Sequence, residues 1–284
     1  MTVPSITLSF GDRLTQVFAT SGQLCVGIDP HPYLLNEWGY ADDAAALREF
    51  GLRVVDAAVG HVGIVKPQVA FFERHGSAGY AALEAVFAAA RAAGLLVIAD
   101  AKRGDVGSTV EAYGQAWLTP GSPLEADAMT VSAFQGVGSL SAPYDLAIAN
   151  GKGLFVLAAT SNPESPQVQT AATTTGDTVS SSILADIRVL NAKHEGLGSV
   201  GAVIGATVDF AAFGFDASSL DGMPVLAPGL GHQGARFDAV SAIYGSATAN
   251  VVVSASRSIL AAGPDGIVAA IEAQASEVAA AVTA

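Results

Sequence analysis

Eight short apolar runs punctuate the chain, and they scarcely alternate with polar residues. In order they are LCVGID (24–29), VGIVKP (62–67), LLVIAD (95–100), AMTVSA (128–133), LFVLAAT (154–160), VGAVIGA (200–206), PVLAPG (224–229) and NVVVSAS (250–256). Runs of this length, apolar at consecutive positions, predict strands covered on both faces, as in a parallel sheet. Ala-rich segments with helical periodicity lie between them, such as DDAAALREFGLRVVDAAV and GYAALEAVFAAARAAG. The second ends on Gly94, which predicts a helix stop ahead of the third run. Eight strand–helix alternations without a break in composition predict one α/β domain over residues 1–284, a single (β/α)8 TIM barrel. A doubly wound open sheet is the rival, weakened because no G-x-G-x-x-G follows an early run.

Two stretches fall outside this plan. Residues 1–20 predict a helical extension that closes the bottom of the barrel or packs on its side. Residues 162–182, NPESPQVQTAATTTGDTVSSS, read as a long surface loop after the fifth strand, and loops of that length tend to order or cover a site. The closing IVAAIEAQASEVAAAVTA reads as a final helix.

Composition narrows the class. Hydrophobic residues make up 51% of the chain, yet no uninterrupted apolar stretch nears the roughly 20 residues of a membrane helix. The first residues lack a basic segment followed by an apolar one, so no export signal is expected and the setting is read as cytoplasmic, without membrane contact. The single cysteine, Cys25, sits in an apolar run and reads as a buried, inert thiol. A net charge of −13 argues against a nucleic-acid partner. It leaves room for a small anion, because one pocket can be locally positive.

With 13 Lys and Arg in all, the charges that follow strands become informative. The polar residues at the predicted strand ends are Asp29, Lys66, Asp100 with Lys102, Ser161, Gln233 and Arg257. The densest cluster is VIADAKRGDVGST, where Asp100, Lys102, Arg103 and Asp105 fall within six residues. Asp100 and Lys102, two apart on an extended segment, are both expected to face the barrel mouth. Asp105 lies past Gly104, where the chain turns outward, and its short side chain suits a neighbour's pocket better than its own. Ser108 and Glu111 have the spacing of a capping box, so a helix is expected from about Thr109, with Arg103 a loop charge. The glycine-rich APGLGHQGA (227–235), with Gly231, and SASRSIL with Arg257 suit a phosphate dianion, bound by backbone N–H groups and one guanidinium. His31 and His232 lie in candidate loops, at a spacing that matches no metal motif.

DAKRGDVGST resembles the Asp-x-Lys-x-x-Asp signature of the orotidine 5′-phosphate decarboxylases. GIDP, VKPQVAFFE, ATSNPE, PGLGHQGA and ASRSIL fall in that family's order, and the DPHP, KPQ and TSNP forms resemble its bacterial type 2 branch. The resemblance implies a homodimer with shared sites: Lys66, Asp100 and Lys102 from one subunit, Asp105 and Thr109 from the other. It further implies that Asp29 binds the ribose hydroxyls, Ser161 the pyrimidine, and Gln233 with Arg257 the phosphate. The implied reaction is decarboxylation of orotidine 5′-monophosphate to UMP, the last step of de novo pyrimidine synthesis, with Lys102 protonating C6. The implied cofactor set is empty: no metal, flavin or pyridoxal. The long loop after strand five and the short one after strand seven leave open which segment closes over the phosphate.

Three other readings stay open at this point. A sugar-phosphate lyase or decarboxylase of similar layout would hold Mg²⁺ with these carboxylates. A Schiff-base aldolase would use Lys66 or Lys102. A barrel that only binds a nucleotide has little use for carboxylates beside an anionic ligand.

Overall fold

All eight runs form strands: β1 (Leu24–Ile28), β2 (Ile64–Pro67), β3 (Leu96–Arg103), β4 (Ala128–Val131), β5 (Gly153–Ala159), β6 (Val200–Ile204), β7 (Val225–Ala227) and β8 (Val251–Ala255). The computed structural model describes residues 8–231 and 234–283. The strands pair in parallel in sequence order, and β8 closes on β1 through Leu24 opposite Val253 and Cys25 opposite Ser254. The open-sheet alternative is therefore excluded.

The unalternating apolar pattern has a direct cause. Cys25, Ile64, Leu96, Ile98, Ala128, Phe155, Val203, Leu226 and Val252 fill the barrel interior. Their neighbours Leu24, Val26, Val65, Val97, Met129 and Val253 face the surrounding helices. Each face loses its contact with water, so each position is selected for apolar character. Burial pushes the Cys25 thiol up to about 12, in keeping with an inert packing role.

The expected N-terminal helix is present over Phe10–Ser21, capped reciprocally by Ser9 and Asp12. It plugs the bottom of the barrel. Phe10 meets Phe155 edge-on at 5.9 Å, and Gly153 leaves the space, since a Cβ there would lie 2.4 Å from the Phe10 ring. Arg13 ties the helix down by a 2.6 Å ion pair to Asp127 and a 2.7 Å bond to the Gly151 carbonyl. Residues 1–7 of the predicted extension lie outside the described residues.

Three expectations need correction. The stretch 162–182 is only partly a loop: it contains a short helix, Pro166–Gln169, and an Ala172–Thr178 bridge. Its last residues open the helix Val179–Asn191, because the Thr178 hydroxyl caps Ser181 N–H. The helix after β3 begins at Gly107, ahead of Thr109, with Val106 at its cap position and no side-chain cap bond. Ser108 already lies inside the first turn, so the Ser108–Glu111 spacing forms no capping box. The final helix runs Gly263–Thr283, four residues longer at its start than the predicted segment. By length and composition that helix could cross a membrane, but its Ile267, Ile271, Val278 and Ala281 are buried in the domain.

Candidate active site

The strand ends converge on one mouth, and Asp100 is its centre. Four donors surround its carboxylate. Oδ2 accepts from Lys66 Nζ at 2.9 Å and from Gln68 Nε2 at 2.9 Å. Oδ1 accepts from Lys102 Nζ at 2.5 Å and from the Thr130 hydroxyl at 3.0 Å. Lys66 and Asp100 are buried, whereas the Lys102 side chain remains 46% exposed. The ammonium that reaches Asp100 from β3 is thus the one that also faces open space.

Electrostatics follow from this geometry. Burial favours the neutral form of Asp100, but Lys66 and Lys102 overcome it and hold the carboxyl below the usual range. Burial likewise pulls the Lys66 ammonium down, and the Asp100 and Asp29 carboxylates overcome that, leaving it above its ordinary value. Both groups are held in their charged forms.

The backbone at Lys102 departs from the expected extended segment. Its φ of 48° is the only positive value at a non-glycine among the described residues. The pairing of β3 with β4 shifts register between Ala99 and Arg103, so the chain bulges where the charges sit. Asp100 and Lys102 do meet, but through this kink. Arg103 leaves the mouth altogether: it pairs with Glu73 at 3.0 Å and lies over the Tyr113 and Trp117 rings.

Two adjoining cavities share Lys66, Asp100, Lys102 and Pro228. The first, of about 240 Å³, is completed by Asp29, Gln68, Gly229, Leu230, Arg257 and the serines Ser254, Ser256 and Ser258. Asp29 Oδ1 and Ser256 Oγ are buried there without a hydrogen-bond partner among the described residues. Unpaired buried oxygens are costly, and they cluster where something else is meant to pair with them. The second, of about 380 Å³, is lined by Thr130, Leu157, Thr160, Ser161, Asn162, Gln169, Val203 and Leu226. Gln169 reaches it because the short helix of the β5 loop folds back: its side chain accepts from Thr160 N–H and donates to Thr160 Oγ1, both at 2.8 Å.

Lys66, Asp100, Lys102, Asp29, Ser161 and Arg257 are therefore brought together. Gly231 is adjacent but does not line either cavity. Its φ of 74° makes the turn, its N–H is committed to the Ala235 carbonyl at 2.7 Å, and Gly229 takes the lining position. Asp105 and Thr109 line neither cavity. The Asp105 carboxylate instead accepts from Val106 N–H at 2.8 Å, and Thr109 is exposed on the first turn of its helix. His31 packs 4.3 Å from the Phe71 ring, outside both cavities. Gln233 and His232 lie outside the described residues. Among the described residues no three His, Cys, Asp or Glu side chains are grouped to hold a metal.

Gln68, Thr130 and Gln169 were not expected. Gln68 had a signal, the polar residue two places after Lys66 at a strand end. Thr130 and Gln169 had almost none, one being a lone hydroxyl in an apolar strand and the other part of a polar loop.

Comparison with known proteins bears on what such a mouth does. Residues 22–273 match the family described as Orotidine 5′-phosphate decarboxylase / HUMPS. The chain is 52% identical over 270 residues to an orotidine 5′-phosphate decarboxylase of Salinispora arenicola, with 95% of each chain covered. It is 50% identical over 259 residues to the protein of the same name from Streptomyces coelicolor, covering 90% of this chain and 91% of that one. A Streptomyces avermitilis crystal structure, provisionally named orotidine 5′-phosphate decarboxylase, superposes with a TM-score of 0.94 at 48% identity, covering both chains completely. OMP decarboxylase of Leishmania donovani superposes at 0.79 with 28% identity, over 98% of this chain and all of that one.

Proposed function

The chain belongs to the orotidine 5′-phosphate decarboxylase family, and we propose that Lys66, Asp100 and Lys102, joined by Asp105 of a second copy, form its decarboxylating array. The activity is conversion of orotidine 5′-monophosphate to UMP, a step of pyrimidine biosynthesis. The observation that carries the assignment is the Lys66–Asp100–Lys102 chain of charge at the junction of the two cavities.

When the C6–carboxylate bond breaks, CO₂ leaves and the electron pair stays on C6 in the plane of the pyrimidine. No neighbouring carbonyl can delocalise it. An ammonium held at that carbon stabilises the developing charge, and transfer of its proton to C6 completes UMP. Lys102, half exposed to the mouth, takes this role. Asp100 sits beside the departing carboxylate, so negative charge is relieved as CO₂ leaves. Lys66, buried and charged, keeps Asp100 ionised and in place.

The two cavities divide the rest of the nucleotide. Ser161, with Asn162 and Gln169 near it, faces the pyrimidine, while Asp29 and its unpaired Oδ1 take the ribose hydroxyls. Arg257 and the Gly229–Leu230 turn hold the phosphate, and the family resemblance adds Gln233 to them. Binding energy from that remote dianion helps align the reacting end. No metal, flavin or pyridoxal enters this scheme.

Asp105 and Thr109 act across a two-fold axis in a cytoplasmic homodimer. Support comes from their position outside their own cavities and from the apolar surface beside them. Gly104 lies against Ser132, and just beyond each of these segments Val106 and Phe134 are exposed, Phe134 to 83%. Such a surface suits an isologous contact. The test mixes inactive Lys102→Ala and inactive Asp105→Ala proteins and follows loss of orotidylate absorbance in EDTA. In a heterodimer one site carries both lesions and the other neither, so random exchange should restore about a quarter of wild-type activity. Demonstrated exchange without recovery would place Asp105 in its own chain's site.

A further inference from the structure

The bulge that presents Lys102 has to be held, and one side chain spans it. Between Ala99–Met129 and Arg103–Val131 the register of β3 against β4 slips, so β3 carries two surplus residues opposite Thr130. Lys102 lies in that surplus with its φ at 48°, a conformation uncommon for any residue with a Cβ. Its backbone N–H donates to Thr130 Oγ1 at 2.9 Å. The same hydroxyl donates to Asp100 Oδ1 at 3.0 Å, and that oxygen also accepts from Lys102 Nζ at 2.5 Å.

We infer that Thr130 is a positioning residue, locking the Lys102 ammonium and the Asp100 carboxylate into one arrangement. The ring closes on itself: Lys102 N–H to the hydroxyl, hydroxyl to Asp100, Asp100 to Lys102 Nζ. The direction of each bond is forced, because a backbone N–H and an ammonium only donate and a carboxylate only accepts. The hydroxyl's single proton is therefore committed to Asp100. Thr130 is buried, at 1% exposure, and its χ1 is stiff as in any β-branched residue. Without this buried hydroxyl the kink is free to relax toward an extended strand.

The inference rests on the reading of Lys102 as proton donor, and the test separates the two. Thr130→Val keeps shape and removes both hydrogen bonds, whereas Thr130→Ser keeps the hydroxyl. We expect Thr130→Val to lower kcat about 100-fold, the scale of an ångström of misplacement, with KM changed by less than about threefold. Thr130→Ser should retain most of the turnover. In the Lys102→Ala background, Thr130→Val should cost less than about threefold more, since it acts through a group already removed. Full turnover in Thr130→Val, an equal loss in Thr130→Ser, or a full additional loss in the double variant would each overturn the inference. Should Thr130→Val fail to fold by circular dichroism, Thr130→Ala against Thr130→Ser reads the same contrast. Wild-type turnover in Lys102→Ala would instead overturn the donor reading, whatever Thr130 does.

Discussion

The barrel carries a cluster of opposite charges at each end, and the two are built differently. At the bottom, Arg13 pairs with Asp127 at 2.6 Å, and Lys152 lies 2.8 Å from Glu125 and 3.6 Å from Asp127. Backbone groups complete this cluster: Asp127 accepts from Val97 N–H, Glu125 from Gly121 N–H, and Arg13 donates to the Gly151 carbonyl. At the top, Asp100 is just as well satisfied, yet the groups around it are not. Lys102 is half exposed, and Asp29 Oδ1 and Ser256 Oγ are buried without partners. A closed cluster holds helix and strands together. An open one keeps charge aimed at a cavity, at some expense in stability.

The largest effect expected from this contrast comes from Lys102→Ala. On the proposed role of this ammonium, its loss should lower kcat by about a thousandfold or more, roughly 4 kcal/mol of barrier, while thermal melting stays near wild type. Steady-state assays on orotidylate, with a melting curve beside them, check both halves. A large loss of stability with little loss of turnover would make the top cluster structural, and the contrast would collapse.

Asp127→Ala is the mirror experiment. Removing it leaves Arg13 and the buried Lys152 short of a partner and frees Val97 N–H, so about 3–5 kcal/mol of stability should be lost. Turnover of the folded protein should be within about threefold of wild type, because the bottom lies at the far end of the strands from the mouth. Urea unfolding and kcat measured on the same preparation decide it. A selective fall in kcat would mean that the two ends are coupled through the barrel.

The top cluster was more legible in the sequence than the manner of its construction. A strand buried on both faces has to be apolar throughout, so all eight strands stood out, and so did charges placed at their ends. Asp100, Lys102, Lys66 and Arg257 were found for that reason. The kink at Lys102 left no trace, because left-handed backbone at a lysine is set by what its N–H meets, here Thr130 on another strand. Thr130 itself looked like an ordinary β-former. The Ser108–Glu111 spacing misled for a local reason: the helix starts at Gly107, directly after Asp105 has taken up Val106 N–H. Spacing alone also left other reactions open; the relatives, at about half identity over nearly the whole chain, were what pointed to orotidylate decarboxylation.

The smallest effect lies in the pH dependence of stability, and it sharpens the comparison because carboxylates at both ends take part. Asp100 has its folded pKa depressed, so its contribution is complete above the ordinary carboxylate value near 4 and is lost as pH falls toward the folded value. Lys66 has its pKa raised, so its contribution is complete below the ordinary lysine value, about 10.4, and is lost as pH rises through the folded value. Between these limits the top pair is fully charged and its contribution is flat. Glu125 at the bottom is also held low, by Lys152 and Gly121 N–H against the opposing effect of burial, so acid weakens both ends together. Asp100→Asn isolates the top. Its melting temperature relative to wild type should stay constant from about pH 5 to 7, then converge with wild type by a few degrees below about pH 4, where the wild-type carboxylate begins to lose its advantage. A difference that persists unchanged to pH 2 would mean that Asp100 stabilises the fold through its shape and neutral hydrogen bonds. Its negative charge would then serve the reaction alone.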